Sequence, residues 1–278
     1  MKEAVARTVA RHRPVLLVAW AMSVHAHGAA TECPSLGDLA GKRAVLANQQ
    51  YNRSADPKHD HDLEVLVPLL QQTIGSSADL FSLEFASTLA CWQGVHGLRA
   101  DGQLTAKTRQ ALQNRWQSQR TLLGKATETP RSQLSVVPEP LRFRIGASPK
   151  SDAKLARQDA IDALVAMRAA ARKNSALGTL MSASQHLSVV SAYRSSAQTR
   201  AIKQRTGADS TAIADRSVHM SGTAFDLYVG GERTSAIGTN RVHQVRDYPT
   251  YRWLLQNART FGFVNYYYEP WHWEFVGA

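Results

Sequence analysis

The 278-residue sequence lacks several features that would place it in a familiar class. No apolar run reaches the ~20 residues that a membrane-spanning helix needs, so stable membrane insertion is not expected. The only two cysteines, Cys33 and Cys91, have no CxxC spacing, which disfavours a zinc site built on thiolates. No helix carries a dense stripe of basic and aromatic residues, which disfavours a nucleic-acid-binding protein despite the net charge of +11.

The first thirty residues have the layout of a secretory signal peptide. Four basic residues precede the apolar stretch at 14–24, and small residues follow it, with cleavage expected after Ala26 or Ala30. We therefore expect an exported protein, either periplasmic or secreted to the cell wall. Removal of residues 1–30 lowers the net charge from +11 to +8, and a basic surface suits the acidic wall. In an oxidising compartment Cys33 and Cys91 are predicted to form a disulfide.

Helical periodicity predicts a small all-α bundle in residues 31–118. Phe85, Leu89 and Trp92 are spaced i, i+4 and i+7, and a second helix is expected to begin after the cap residue Thr105. The following segment, 119–150, contains four prolines and little apolar periodicity, which is typical of a linker or of an extended covering segment.

Part of this helical region resembles the peptidoglycan-binding domain of many wall hydrolases. The stretch FASTLACWQGVHGLRADGQLTAKTRQALQ carries the motif positions of that domain, which are Trp92, Gln93, Gly97, Leu98, Asp101, Gly102, Thr108 and Leu112. The resemblance implies a wall-binding role. The same residues also suit the turns and the core of any three-helix module, and this alternative stays open.

Residues 151–278 predict an α+β domain with a small antiparallel sheet. A long Ala-rich and Arg-rich helix is expected first, from about residue 152 to 175. Strand-like segments LSVVSAYRS, TAFDLYV and WHWEFVG then alternate with the helical segments AQTRAIKQRTG and TYRWLLQNARTFG. The elements do not repeat as βαβ units, which favours antiparallel pairing.

Three residues of this domain are candidate metal ligands. His219 precedes Asp226 by seven residues, and Gly222 between them permits a bend that lets both side chains converge. His272 on the last strand would complete a set of three protein ligands and leave a fourth position for water, which is the catalytic form of zinc. Each residue alone could instead be a buried histidine or a turn aspartate with ordinary hydrogen bonds.

Three motifs resemble the zinc D-alanyl-D-alanine carboxypeptidases and dipeptidases of the vancomycin-resistance type. SVHMSGTAFD fits Ser-x-His-x2-Gly-x-Ala-x-Asp, EPWH fits Glu-Pro-Trp-His, and SAYRS is similar to Ser-Gly-Tyr-Arg-Ser, with Ala192 in place of glycine. The resemblance implies that His219, Asp226 and His272 bind zinc. It further implies that Glu269 is the general base.

The same resemblance implies roles in substrate binding. Arg194 would contact the substrate carbonyl, where its permanent charge could stabilise a developing oxyanion. Ser217 would either bind the substrate or order its loop. Trp271 and the other rings of NYYYEPWHWEF, residues 265–275, would shield the metal site and form walls for a short peptide, although some of these rings must belong to the core.

These expectations combine into an exported zinc metallopeptidase that acts on peptidoglycan stem peptides and removes terminal D-alanine. A wall endopeptidase that cuts inside the stem or the cross-link is the nearest alternative. A related endopeptidase branch carries His-x-His where this chain has His272, Trp273 and Glu274, which favours the carboxypeptidase. A non-catalytic wall-binding protein is an alternative of another class. All the proposed catalytic residues lie after residue 151.

Overall fold

A computed structural model describes residues 33, 36–54, 62–145, 153–206, 217–232 and 238–277. The predicted signal peptide lies outside these residues. Cys33–Ala278 form one compact unit. Within the described part of the chain, no helix is both long enough and apolar enough to cross a membrane. The predicted disulfide between Cys33 and Cys91 is confirmed, with Cα atoms 4.7 Å apart.

The described residues of the N-terminal half form four helices: α1 Asp38–Ser54, α2 Asp62–Ile74, α3 Leu83–Val95 and α4 Ala106–Ser118. Side-chain oxygens of Ser82 and Thr105 accept backbone hydrogen bonds at the starts of α3 and α4, so the Thr105 cap is confirmed. Apolar side chains at helical spacing pack into one core, which includes Phe85, Leu89, Trp92, Leu112 and Trp116. The predicted helix faces are therefore the buried ones.

The C-terminal half is α+β, as expected. Its helices are α5 Gln158–Arg172, α6 Ser175–Ser184, α7 Ser196–Thr206, α8 Gly238–Arg246 and α9 Pro249–Asn257. The strands β3 Val189–Ser191, β4 Ala224–Leu227, β5 Phe263–Asn265 and β6 His272–Phe275 form an antiparallel sheet in the order β3-β4-β6-β5. A second apolar core packs on it, built from α5, α6, α9 and the strands.

One expectation about this half was wrong. The helix expected from about residue 152 begins only at Gln158, because Leu155–Ala156 form a short strand, β2. This strand pairs antiparallel with β1, Ser135–Val136, from the proline-rich segment. Backbone pairing with a distant segment thus replaced the first turns of a helix that local propensity favoured.

The described residues of the proline-rich segment lie as an extended chain along the α+β half. The backbone of Thr129 donates to the carbonyl of Met220, and Phe143 donates to the carbonyl of Val189, each over 2.9 Å. Two short 3-10 helices, Arg131–Gln133 and Glu139–Leu141, interrupt the segment. The division into two domains joined by a linker stays a prediction.

Candidate metal centre

The sheet brings the three predicted ligands together. His219 lies in a 3-10 helix, Val218–Ser221, that leads into β4, which carries Asp226. His272 is the first residue of β6 and lies directly opposite Asp226 in the strand register. Because paired residues project on the same face of a sheet, both side chains point to one place. One ligand atom from each of the three residues lies within 4.8 Å of the others.

Gly222 makes the tight turn between His219 and Asp226. Its φ is 71°, in the left-handed region, and its N–H donates to the carbonyl of His219. A Cβ atom at this position would lie 2.6 Å from the Cδ2 atom of Leu134, in the proline-rich segment. Glycine is therefore required both by the backbone conformation and by the packing of that segment over the turn.

Each histidine has one ring nitrogen held by the protein and the other directed at Asp226. His219 Nδ1 lies 2.6 Å from the carbonyl oxygen of Ala192, and its Nε2 lies 3.2 Å from Asp226 Oδ1. His272 Nε2 lies 3.1 Å from Glu274 Oε1, and its Nδ1 lies 3.0 Å from Asp226 Oδ1. One nitrogen of each ring thus pairs with an acceptor outside the cluster. The other nitrogen faces the centre of the cluster, where a metal ion would bind.

The electrostatics of the cluster favour a positive charge at its centre. Burial lowers the pKa of His219, so this ring is neutral and can act as a ligand. Burial alone would raise the pKa of Asp226, but His219 and His272 hold it well below its usual range. Burial opposes the charge on His272 too, yet its hydrogen bonds to Asp226 and Glu274 raise its pKa to about 9.

These residues fit a zinc ion. Two imidazole nitrogens and one carboxylate oxygen are ligands that zinc prefers, and three protein donors leave a position for water. The side chains are nearly inaccessible, since His219 is 0%, Asp226 6% and His272 6% exposed. Asp226 and Glu274, the buried carboxylates that raise the pKa of His272, also suit a metal cation, which would replace the proton on this ring.

Glu269 lies beside the cluster of His219, Asp226 and His272. Its Oε2 atom is 3.9 Å from His272 Nδ1, and its side chain is 20% exposed. A tight turn holds it there, because the N–H of His272 donates to the carbonyl of Glu269. Burial raises the pKa of Glu269 to about 6 against the opposing influence of His272. A carboxylate with such a pKa is suited to exchange protons near neutral pH.

The predicted substrate-binding residues border the same place. The backbone N–H of Arg194 donates to the carbonyl of His219 over 3.3 Å. Within the described residues, the buried Nε atom of Arg194 has no hydrogen-bond partner, which fits a donor that awaits a substrate. Ser217 Oγ accepts the N–H of His219 over 3.4 Å and so caps the 3-10 helix. This contact supports the loop-ordering role, and a substrate contact stays a prediction.

The aromatic run divides between the two cores. Trp271 and Trp273, 3% and 2% exposed, pack in the α+β core, whereas Tyr267 packs in the helical core. Tyr266 stands edge-on to His272, with 6.1 Å between ring centroids. The run therefore joins two cores and fixes His272 between them. Burial of Trp271 favours a core role, and its predicted substrate contact stays untested.

Sequence reasoning missed two residues next to the cluster. Glu274 is 0% exposed and contacts His272, and Arg120 contacts Glu274 through Nε over 2.9 Å. An acidic residue in an otherwise aromatic strand was the one available signal for Glu274. Nothing in the local sequence marked Arg120, which lies 154 residues earlier in the chain.

Comparison with known proteins gives a family for this half of the chain. Residues 153–278 match the family model VanY, described as D-alanyl-D-alanine carboxypeptidase. A search among curated proteins found no match.

Two solved structures are similar to part of the chain. One is the LD-carboxypeptidase LdcB, with 25% identity, a TM-score of 0.37, and coverage of 54% of this chain and 70% of that chain. The other is the vancomycin-resistance D,D-pentapeptidase VanY from a VanB-type cassette, in complex with Zn(II), with 20% identity, a TM-score of 0.32, and coverage of 54% and 87%. TM-scores below 0.5 do not establish a shared fold, so the family rests on the sequence model.

Proposed function

We propose that the protein is a zinc metallopeptidase that removes C-terminal D-alanine from peptidoglycan stem peptides, because residues 153–278 match the family model VanY, described as D-alanyl-D-alanine carboxypeptidase. The observation that carries the proposal is the convergence of His219 Nε2, Asp226 Oδ1 and His272 Nδ1 beside the carboxylate of Glu269. This arrangement supplies a metal site and a proton acceptor at one point.

The residues around the site account for each requirement of peptide hydrolysis. When bound by His219, Asp226 and His272, zinc acts as a Lewis acid and makes water a nucleophile near neutral pH. Glu269 accepts a proton from the attacking water as the new C–O bond forms, and it delivers that proton to the amine as the C–N bond breaks. Arg194 stabilises the negative charge that develops on the carbonyl oxygen.

The proposal includes export to the cell wall. The signal-like residues 1–30 and the disulfide between Cys33 and Cys91 support it, because disulfides persist mainly in oxidising compartments. The mass of the chain recovered from the periplasm or the medium tests export. We expect a mass that corresponds to cleavage after Ala26 or Ala30, and a full-length chain confined to the cytoplasm would contradict it.

A digest of purified muropeptides tests the activity. The zinc-loaded protein should release one D-alanine from a stem that ends in D-Ala-D-Ala, detected by mass spectrometry, and a chelator should stop the release. Cleavage inside the stem or the cross-link would instead show an endopeptidase. Intact muropeptides after prolonged incubation with the zinc-loaded protein would support a non-catalytic wall-binding protein.

A further inference from the structure

A second carboxylate lies behind the metal ligand His272. Glu274 lies two residues further along β6, so both side chains project on the same face of the sheet. Glu274 Oε1 accepts a hydrogen bond from His272 Nε2 over 3.1 Å, and Glu274 is 0% exposed. Metal-binding histidines usually donate their outer N–H to such an acceptor, which fixes the tautomer and the orientation of the ring.

Arg120 from the N-terminal half holds this carboxylate. Its Nε and Nη2 atoms both donate to Glu274 Oε1, and the residue is 8% exposed. Its Nη1 atom donates to Gln117 Oε1 over 2.8 Å. Its guanidinium lies 4.2 Å from the centre of the Tyr266 ring, which in turn stands edge-on to His272. Arg120 is thus fixed on several sides.

The arrangement has a structural and a chemical consequence. A buried carboxylate is costly without a cationic or hydrogen-bonding partner, and Arg120 is a permanently charged partner of Glu274, in contrast to the titratable His272. Donors aimed at one oxygen fix where that oxygen lies, and this oxygen is also the acceptor for His272. Arg120 itself lies outside residues 153–278, which match the family model.

We propose that Arg120 is a positioning residue of the metal centre, which acts through Glu274 to hold His272 Nδ1 in place for zinc. The proposal rests on the proposed function, since it presumes that the cluster binds zinc. It also means that the N-terminal half contributes to the active site besides any part in wall binding. The residues after 151 contain the ligands and the base but not this support.

Zinc affinity of the full chain tests the proposal, measured by competition with a chromophoric chelator at a temperature well below unfolding. Arg120→Gln should weaken zinc binding by about 10-fold to 100-fold, the usual loss when an outer partner of a ligand is removed. The matched control is Arg115→Gln, which removes the same charge from an exposed position at the end of α4 and should leave the zinc affinity unchanged. Thermal unfolding of the metal-free variants reports any loss of stability separately.

A double variant distinguishes positioning from general stabilisation. If Arg120 acts through Glu274, Arg120→Gln combined with Glu274→Gln should bind zinc no more weakly than Glu274→Gln alone. The pair also avoids a buried, unpaired carboxylate, so it keeps the test valid if Arg120→Gln fails to fold. Arg120→Lys, which keeps the charge, should recover part of the affinity.

Three outcomes would overturn the proposal. Wild-type affinity in Arg120→Gln, with a lower unfolding temperature alone, would mean that Arg120 is only structural, and the proposed function would stand. Additive losses in the double variant would mean that Arg120 does not act through Glu274. If the wild-type protein itself bound no zinc, both this proposal and the proposed function would fail.

Discussion

The motif residues of the two halves of the chain differ in how their polar groups are hydrogen-bonded. In the helical half, the motif side chain of Gln93 is 1% exposed and is occupied internally, since it bonds to Thr108 Oγ1, to the carbonyl of Gln103 and to the N–H of Gly102. In the α+β half, His219 and His272 each direct one ring nitrogen at Asp226, and Arg194 keeps a buried donor without a partner within the described residues.

The difference teaches how a motif can be interpreted. When a polar residue makes all its hydrogen bonds inside its own module, its presence in the motif is explained by the stability of that module. When polar residues converge on one point and have atoms available for a metal ion or a substrate, they indicate a functional site. The peptidoglycan-binding resemblance is therefore accounted for by structure in its buried positions, and wall binding by the helical half stays a prediction.

The largest expected effect is the loss of a metal ligand. His272→Ala should reduce bound zinc from about one per chain to near zero and reduce turnover of a D-Ala-D-Ala-terminated peptide to background, because only two protein donors remain. His219→Ala and Asp226→Ala should have the same effect as His272→Ala. His243→Ala, an exposed histidine on α8, is the matched control. Full zinc content in His272→Ala, measured by elemental analysis, would refute the ligand assignment.

The next effect separates chemistry from metal binding. Glu269→Gln should keep about one zinc per chain while kcat falls by ~10² to 10⁴, the range for loss of a positioned proton-transfer group. Glu139→Gln, a partly exposed carboxylate in the proline-rich segment, should retain full turnover. Zinc stoichiometry and kcat are measured together. A zinc-free Glu269→Gln protein, or one with near-normal kcat, would show that Glu269 is not the base.

A smaller effect tests the helical half. Gln93→Ala should lower the free energy of unfolding by about 1–3 kcal/mol, because it leaves the buried N–H of Gly102 without its acceptor and removes the hydrogen bonds of Gln93 to Thr108 and Gln103. Well below the unfolding temperature, kcat on a soluble peptide should not change. Gln110→Ala, on the exposed face of α4, should leave stability nearly unchanged. Denaturant titration and kinetics are measured on the same variant. If kcat fell although Gln93→Ala was fully folded, Gln93 would have a role in catalysis.

The smallest effect concerns Ser217. Loss of its cap should destabilise the protein by about 1 kcal/mol or less. If Ser217 only orders the loop, Ser217→Ala leaves KM unchanged, and Ser217→Thr restores stability by keeping the hydroxyl. A several-fold rise in KM for the D-Ala-D-Ala peptide, without loss of stability, would instead show that this hydroxyl contacts the substrate.

Much of the fold and the central residues of the site could be predicted from sequence, where short-range patterns carried the information. Helical spacing identified the buried faces of α3 and α4, and the Thr105 cap marked the start of α4. The sequence did not predict β2, because its pairing with β1 connects segments that are local only in space. The sequence also did not decide which aromatic rings are buried: Trp271 packs in the core, and its predicted substrate contact stays a prediction.

The sequence by itself predicted the candidate ligands, the candidate base and the disulfide pair, because these depend on side-chain chemistry and on spacing along short stretches. Tertiary structure alone decided which nitrogen of each histidine faces Asp226. It also decided that Glu274 and Arg120 lie on the other side of His272. The antiparallel register placed Asp226 opposite His272, and the path of the chain just after α4 placed Arg120 on Glu274. Such contacts join residues far apart in the chain, and only the energy of the whole folded core selects them.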